Sequence, residues 1–300
     1  MDVRISIPDV AFDHSCSNNV EFEMINLRSI KQRCEHHLDP EKPHKVSFFH
    51  IIYFAQGSGK HMIDFEYYAF SAGSFIFVQS EPVHAFDFSN DPAGQVFIFT
   101  AQFLERVHAN MRLPIYTPTH FNHDYSPLVL LSTDKMQRCE AMFEQIAKEI
   151  EGHCDELVVM YLFSALSLIL ERERPRLSHQ ELSGEQGNKL AQLYQLLREN
   201  INRIRDAHWY AANVHTTYKT LNTICKLATG LTAKQLVDAF AILEIKRLLV
   251  VNRSSTQQIA LSFGFDDVSN FTKFFKKHAK QTPTQFLRQF VKEDINLKSK

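Results

Sequence analysis

The period of the hydrophobic pattern changes along this chain, and the changes divide it. From Val46 to Thr100 apolar residues come in short β-rich runs, Ser47–Phe54, Ser74–Val78 and Gln95–Thr100. Gly57-Ser58-Gly59, Ala72-Gly73 and Asn90-Asp91-Pro92 separate them. Short strands at this spacing predict a barrel or jelly roll. The period then lengthens. Over Asp134–Gly152, Met136, Cys139, Phe143, Ile146 and Ile150 recur at helical spacing, and Glu156–Glu173 is almost continuously apolar from Leu157 to Leu170. That run falls short of the roughly twenty residues a bilayer requires, so it predicts a buried or dimer-forming helix. The polar stretch Arg172–Asn188, with Pro175, Ser183, Gly184 and Gly187, predicts a linker. The expected division is a barrel over 1–130, a helical packing or dimerisation region over 131–173, a linker over 174–188 and an all-helical domain over 189–300. The fold class is therefore α+β, and each domain is long enough for its own core.

Within the last region the pattern repeats itself. Leu221-Asn-Thr-Ile224-Cys225-Lys226 lines up with Phe271-Thr-Lys-Phe274-Phe275-Lys276, and Thr232-Ala-Lys-Gln235-Leu236 with Thr282-Pro-Thr-Gln285-Phe286, both at an offset of 50. Ahead of them, Ala211 with Val214 matches Ala260 with Phe263 at an offset of 49. The one-residue difference falls in the turn, His215-Thr216 against Gly264-Phe265-Asp266. Each copy predicts a short helix, a tight turn and a second helix. In the second copy Ser255-x-x-Gln258 has the capping-box pattern, Gly264 suits a left-handed C-cap, and Asp266 or Asp267 can cap the next helix. Phe271, Phe274 and Phe275 are expected in the core, and Thr282-Pro283-x-Gln285 opens a closing helix. A fold built twice from helix, turn and helix points to DNA.

Charge changes the picture further. The chain is almost neutral, yet residues 189–300 hold 18 Lys+Arg against 8 Asp+Glu, which leaves 15 against 26 in residues 1–188. One half is built to meet a polyanion, with binding that weakens steeply with salt. Five cysteines at irregular spacing, without Cys-x-x-Cys, predict neither a disulfide framework nor a thiolate zinc site. Met1–Val10 has no apolar core, so no signal peptide or membrane association is expected, and the chain reads as cytoplasmic.

The repeated residues resemble the AraC/XylS family of bacterial transcriptional regulators. The likeness covers about residues 190–290. It rests on Gly264-Phe265-Asp266, Ser269-Asn270-Phe271-Thr272-Lys273-x-Phe275-Lys276 and Thr282-Pro283, and on Ala211 through Leu221 to Lys226 with Gly230-Leu231-Thr232. Leu236 to Val251 looks like the helix joining the two units. Thr223 stands where the family often has a basic residue, Lys280 where Gly is common and Ala233 where Pro is common. The resemblance implies recognition helices in two successive major-groove segments, roughly 34 Å apart. Carried across by position, Lys219, Asn222 and Thr223 would read bases from the first helix, and Ser269, Thr272 and Lys273 from the second. Asn pairs bidentately with adenine and Lys reaches guanine acceptors. Lys226, Lys276 and Lys277 would hold phosphate, which positions without reading sequence. Trp209 is expected to pack.

More weakly, Tyr53 to Gly59, Gly73 to Phe77 and Pro82 to Phe86 resemble the cupin-like sensor barrel of the same regulators. The resemblance implies a small-molecule effector near Gln56, His84 and Phe86, a homodimer, a promoter or operator as the DNA partner, contact with RNA polymerase and work as an activator on the bacterial nucleoid. Enzymatic cupins instead hold a metal through His-x-His, a Glu and a later His. Here Met62 and Ile63 follow His61, and His44, His50, His61 and His84 are scattered. Neither a metal nor another cofactor, nor any catalytic residue, is therefore expected. Two alternatives stay open at this point: a barrel that binds no small molecule and answers to a partner protein or to nothing, and a metal-dependent cupin enzyme with a DNA-binding tail.

Overall fold

A computed structural model of the protein describes residues 9–10, 21–34, 39–79, 82–111, 126–152, 155–173, 182–251 and 254–296. They divide into two compact units, one from the described residues up to 173 and the other from residue 182 onward. In chain order the first unit contains β1 (Asp9–Val10), β2 (Phe22–Asn26), α1 (Leu27–Cys34), β3 (His44–Val46), β4 (Phe49–Gln56), β5 (Gly59–Ile63) and β6 (Glu66–Phe70). It continues through β7 (Ser74–Val78), β8 (Val83–Ala85), β9 (Ala93–Phe99), α2 (Ala101–Met111), β10 (Leu128–Leu130), α3 (Thr133–Glu151) and α4 (Glu156–Glu173).

The strands form two five-stranded sheets, ordered β1-β3-β8-β5-β6 and β10-β7-β4-β9-β2. Only β1 with β3 runs parallel among the described pairs. β5 and β6 join through Asp64-Phe65, both at positive φ (48° and 72°), the two-residue turn whose twist suits a hairpin. The second sheet is covered on both faces. Ile51, Tyr53, Phe75, Phe97 and Phe99 share a core with Phe103, Phe143, Ile146, Phe163 and Leu166 of the helices. Ile52, Phe54, Ile76, Val78 and Val96 belong to a second core with Ile63 and Phe70 of the other sheet and Phe86 just after β8. Successive strand residues point to opposite faces, so both parities must be apolar when both faces are buried. The Tyr53 hydroxyl also donates to Glu140 of α3 at 2.6 Å. α3 and α4 thus belong to one compact unit with the strands, because their apolar stripes have a sheet to cover.

The second unit contains α5 (Gly184–Asn200), α6 (Ala207–Asn213), α7 (Tyr218–Thr229), α8 (Ala233–Val251), α9 (Thr256–Ser262), α10 (Val268–Ala279) and α11 (Pro283–Asn296). The linker expected over 174–188 is cut short, since α5 begins at Gly184. Ser183 and Gln186 form a capping box there, each side chain accepting the other's backbone N–H, which satisfies donors the helix start would leave free. α8 buries Leu236, Val237, Phe240, Ala241, Ile245 and Leu249 and packs against α6 and α7 as well as α9, α10 and α11. A helix apolar around most of its circumference belongs in the middle of a bundle. The Arg205 guanidinium, just ahead of α6, lies 3.7 Å over the ring of Phe265 in the second turn and 5.4 Å from that of Phe274. Phe274 was expected in the core but is only half-buried, because this cation and His278 cover it instead.

Candidate DNA interface and sensor interior

Two turns carry the same hydrogen bonds. In the first, His215 N donates to Ala212 O (3.1 Å) and Thr216 N to Ala211 O (3.0 Å). In the second, Gly264 N donates to Leu261 O (3.1 Å) and Phe265 N to Ala260 O (2.9 Å). His215 and Gly264 both hold left-handed backbone, at φ 53° and 66°. The following helices start one residue further apart. The Thr217 hydroxyl accepts from Thr220 N at 3.1 Å to cap α7, and the Asp267 carboxylate from Asn270 N at 2.7 Å to cap α10. Asp266 is therefore the extra residue of the second turn. Each α7-type helix ends left-handed, on Gly230 at φ 71° and on Lys280 at φ 59°. Thr232 with Gln235, and Thr282 with Gln285, then form matching caps.

These turns fix which side chains face outward. Lys219, Thr223 and Lys226 are exposed at i, i+4 and i+7 on α7, and Ser269, Lys273 and Lys276 take the same spacing on α10, with Lys277 beside them. Thr272 is half-buried. Asn222 departs from its expected base-reading role. It is half-buried, and its Oδ1 accepts from Ala233 N at 3.0 Å, across the turn to α8. The reason lies in the repeat itself. Ala233 exposes an N–H that its counterpart Pro283 lacks, and Asn222 satisfies it. Bidentate reading of adenine uses both ends of the amide, and one end is engaged here.

Inside the barrel, His84 and Phe86 are buried with ring centroids 5.5 Å apart. Gln56, expected beside them, is exposed at the end of β4, beyond a register shift between Phe54 and Gln56 that breaks the inward alternation. What joins His84 is a set of histidines. His44, His84 and His61 come from the neighbouring strands β3, β8 and β5 of one sheet, and His50 comes from β4 of the other. The His84 ring lies 4.1 Å from that of His44, 4.7 Å from His50 and 5.5 Å from His61. One ring nitrogen from each of His50, His61 and His84 can be chosen so that all lie within 4.8 Å of one another. The nitrogens of these three rings find no hydrogen-bond partner among the described residues. An unmet buried polar group costs about 1–3 kcal/mol. Burial, reinforced by repulsion from neighbouring imidazoles, holds His50 and His84 well below the ordinary histidine range and pushes His61 down to about 3. A neutral imidazole keeps a lone pair free, which is the form that ligates metals. His44 Nδ1 sits 2.9 Å from Lys42 O, where it donates as the Nδ1–H tautomer. Of the four histidines, the sequence reading assigns only His84 to this interior, with Gln56 and Phe86, and leaves the others scattered. Strand register brings the others to it, and no spacing along the chain encodes that.

An AraC-like ligand binding domain matches residues 34–166, and a helix-turn-helix domain matches residues 210–289. The second match begins in α6 and ends in α11, so it spans both turns. The chain belongs to the AraC/XylS family of transcriptional regulators. This AraC/XylS regulator is 21% identical over 255 residues to the HTH-type transcriptional activator RhaR of Yersinia pseudotuberculosis serotype O:1b (strain IP 31758), covering 84% of this chain and 86% of that one. It is 23% identical over 258 residues to the HTH-type transcriptional activator RhaS of Pectobacterium carotovorum subsp. carotovorum (strain PC1), covering 84% and 89%. Among solved structures, ToxT of Vibrio cholerae strain SCE256 with a bound unsaturated fatty acid covers 90% of the regulator at 16% identity, with a TM-score of 0.44. All four barrel histidines fall inside the span matched by the ligand binding domain.

Proposed function

We propose that this DNA-binding regulator is an effector-responsive activator whose two recognition helices read successive major-groove segments of a promoter. The observation that carries the reading is the pair of identically bonded turns, each presenting an exposed basic helix. Lys219, Thr223, Ser269, Thr272 and Lys273 are the base-reading set, and Lys226, Lys276 and Lys277 bind phosphate. RhaR and RhaS are activators by name, which supports activation and contact with RNA polymerase. Related regulators also support a role as a regulator and not as an enzyme. Leu157, Val158 and Tyr161 leave apolar surface exposed on α4, and this supports a homodimer through the barrel unit. Among the described residues no helix is long and apolar enough to cross a membrane, and the proposed place of work is the cytoplasm, on the nucleoid.

Selection of the full chain against a random duplex library tests this reading. An enriched site with two short half-motifs about one helical turn apart is the expected result. No enrichment at low salt would overturn it. The same selected duplex then serves as the probe for every variant below.

A further inference from the structure

We propose that His50, His61 and His84 form a tris-imidazole site for a divalent first-row transition-metal ion of the zinc type, and that this ion is the effector sensed by the barrel. The inference rests on the effector-responsive reading above and names the chemistry of its ligand. Three features carry it. The ligand atoms converge to within 4.8 Å from three strands in two sheets. The rings are 0–2% exposed. Their nitrogens have no partner among the described residues, although buried polar atoms are almost always satisfied.

The donor set selects the ion. Three neutral imidazoles without thiolate or carboxylate suit zinc, copper, nickel or iron and disfavour calcium and magnesium, which take oxygen. The described free cysteines, Cys139 and Cys225, sit on α3 and α7 and are not among the three ligands. Ligands 2.0–2.1 Å from a tetrahedral ion are about 3.3 Å apart, so modest ring rotations complete the set. Three protein ligands leave a fourth position open. His44 packs against His84 with its Nδ1 turned to Lys42 O, and it is a positioning residue. An ion drawing β4 toward β8 and β5 binds one arrangement of the two sheets more tightly than another, which is what an effector requires.

The test uses the full chain, stripped with a chelator and titrated with Zn²⁺ against a chromophoric competitor. One equivalent per chain is expected, with the visible absorption of four-coordinate cobalt when Co²⁺ is used instead. Saturation should raise the melting temperature by roughly 5–10 °C at a hundredfold excess over Kd. His84→Gln and His61→Gln, checked for fold by circular dichroism, should each lose at least about tenfold in affinity, since loss of even an outer-shell partner costs about 10–100-fold. Zn²⁺ should shift affinity for the selected duplex at least about fivefold in the wild type and not in His84→Gln. Equal Zn²⁺ binding by the wild type and His84→Gln would overturn the site. Stoichiometric, His84-dependent binding without any change in duplex affinity would overturn the effector role and make the ion structural. A chain that binds one Zn²⁺ yet selects no duplex would sink the regulatory reading and leave the site standing.

Discussion

The first and second helix-turn-helix units share their turn bonds but close their recognition helices differently. The first ends on Gly230 and hands on to Ala233, whose N–H is bonded by Asn222. The second ends on Lys280, held at φ 59°, and hands on to Pro283, which has no N–H to satisfy. On the outward faces, Thr223 in the first stands opposite Lys273 in the second. The common turn is what geometry demands of the motif. The differences show two solutions to ending a helix, and on the proposed DNA-binding reading they give the second unit the larger share of contact.

Deleting equivalent core side chains tests how far the two units are one body. Leu221 and Phe271 are both fully buried, and Leu221→Ala or Phe271→Ala should cost about 2–5 kcal/mol. Because α7 and α10 both pack on α8, thermal denaturation of either variant should keep a single, lowered transition for this domain. Two separated transitions would mean that the units fold independently. On DNA, Lys273→Ala should cost about 1–3 kcal/mol and relax preference at one base position. Thr223→Ala should cost clearly less in the same footprint titration, and equal losses would abolish the asymmetry. Asn222→Ala should destabilise by about 1–2 kcal/mol by stranding the Ala233 N–H, whereas Thr272→Ala should change little. Adding Ala233→Pro to Asn222→Ala should recover most of the loss in a urea titration. No recovery would show that Asn222 acts elsewhere. The smallest expected effect is at the helix ends. Lys280→Gly should stabilise by about 0.5–1 kcal/mol by relieving left-handed backbone in a residue with a Cβ, and Gly230→Ala should do the reverse.

Much of the DNA unit was legible in the chain because its signals are local. Ser255 and Gln258 cap α9 as their spacing says, and Gly264 takes positive φ; in the barrel unit the helix read over Glu156–Glu173 likewise has those bounds. Signals that depend on partners far along the chain were not legible. Asn222 looks like any exposed helix amide until Ala233 is seen eleven positions away. Gln56 keeps the inward parity of His50, Ile52 and Phe54 on paper, and the irregularity after Phe54 undoes it. The histidines are the extreme case. His44, His50, His61 and His84 carry no common spacing, and only the pairing of β3 with β8, β8 with β5 and the facing of β4 bring them together.

The bond from Asn222 to Ala233 also bears on how such a regulator changes its target over generations. Position 222 lies on the helix proposed to read bases, but an exchange there that loses the acceptor oxygen first destabilises the protein that carries it. A lineage that acquires proline at 233 beforehand removes that obligation, and position 222 is then free to explore new operators. The order of the two substitutions would then decide whether the first unit can diverge as readily as the second.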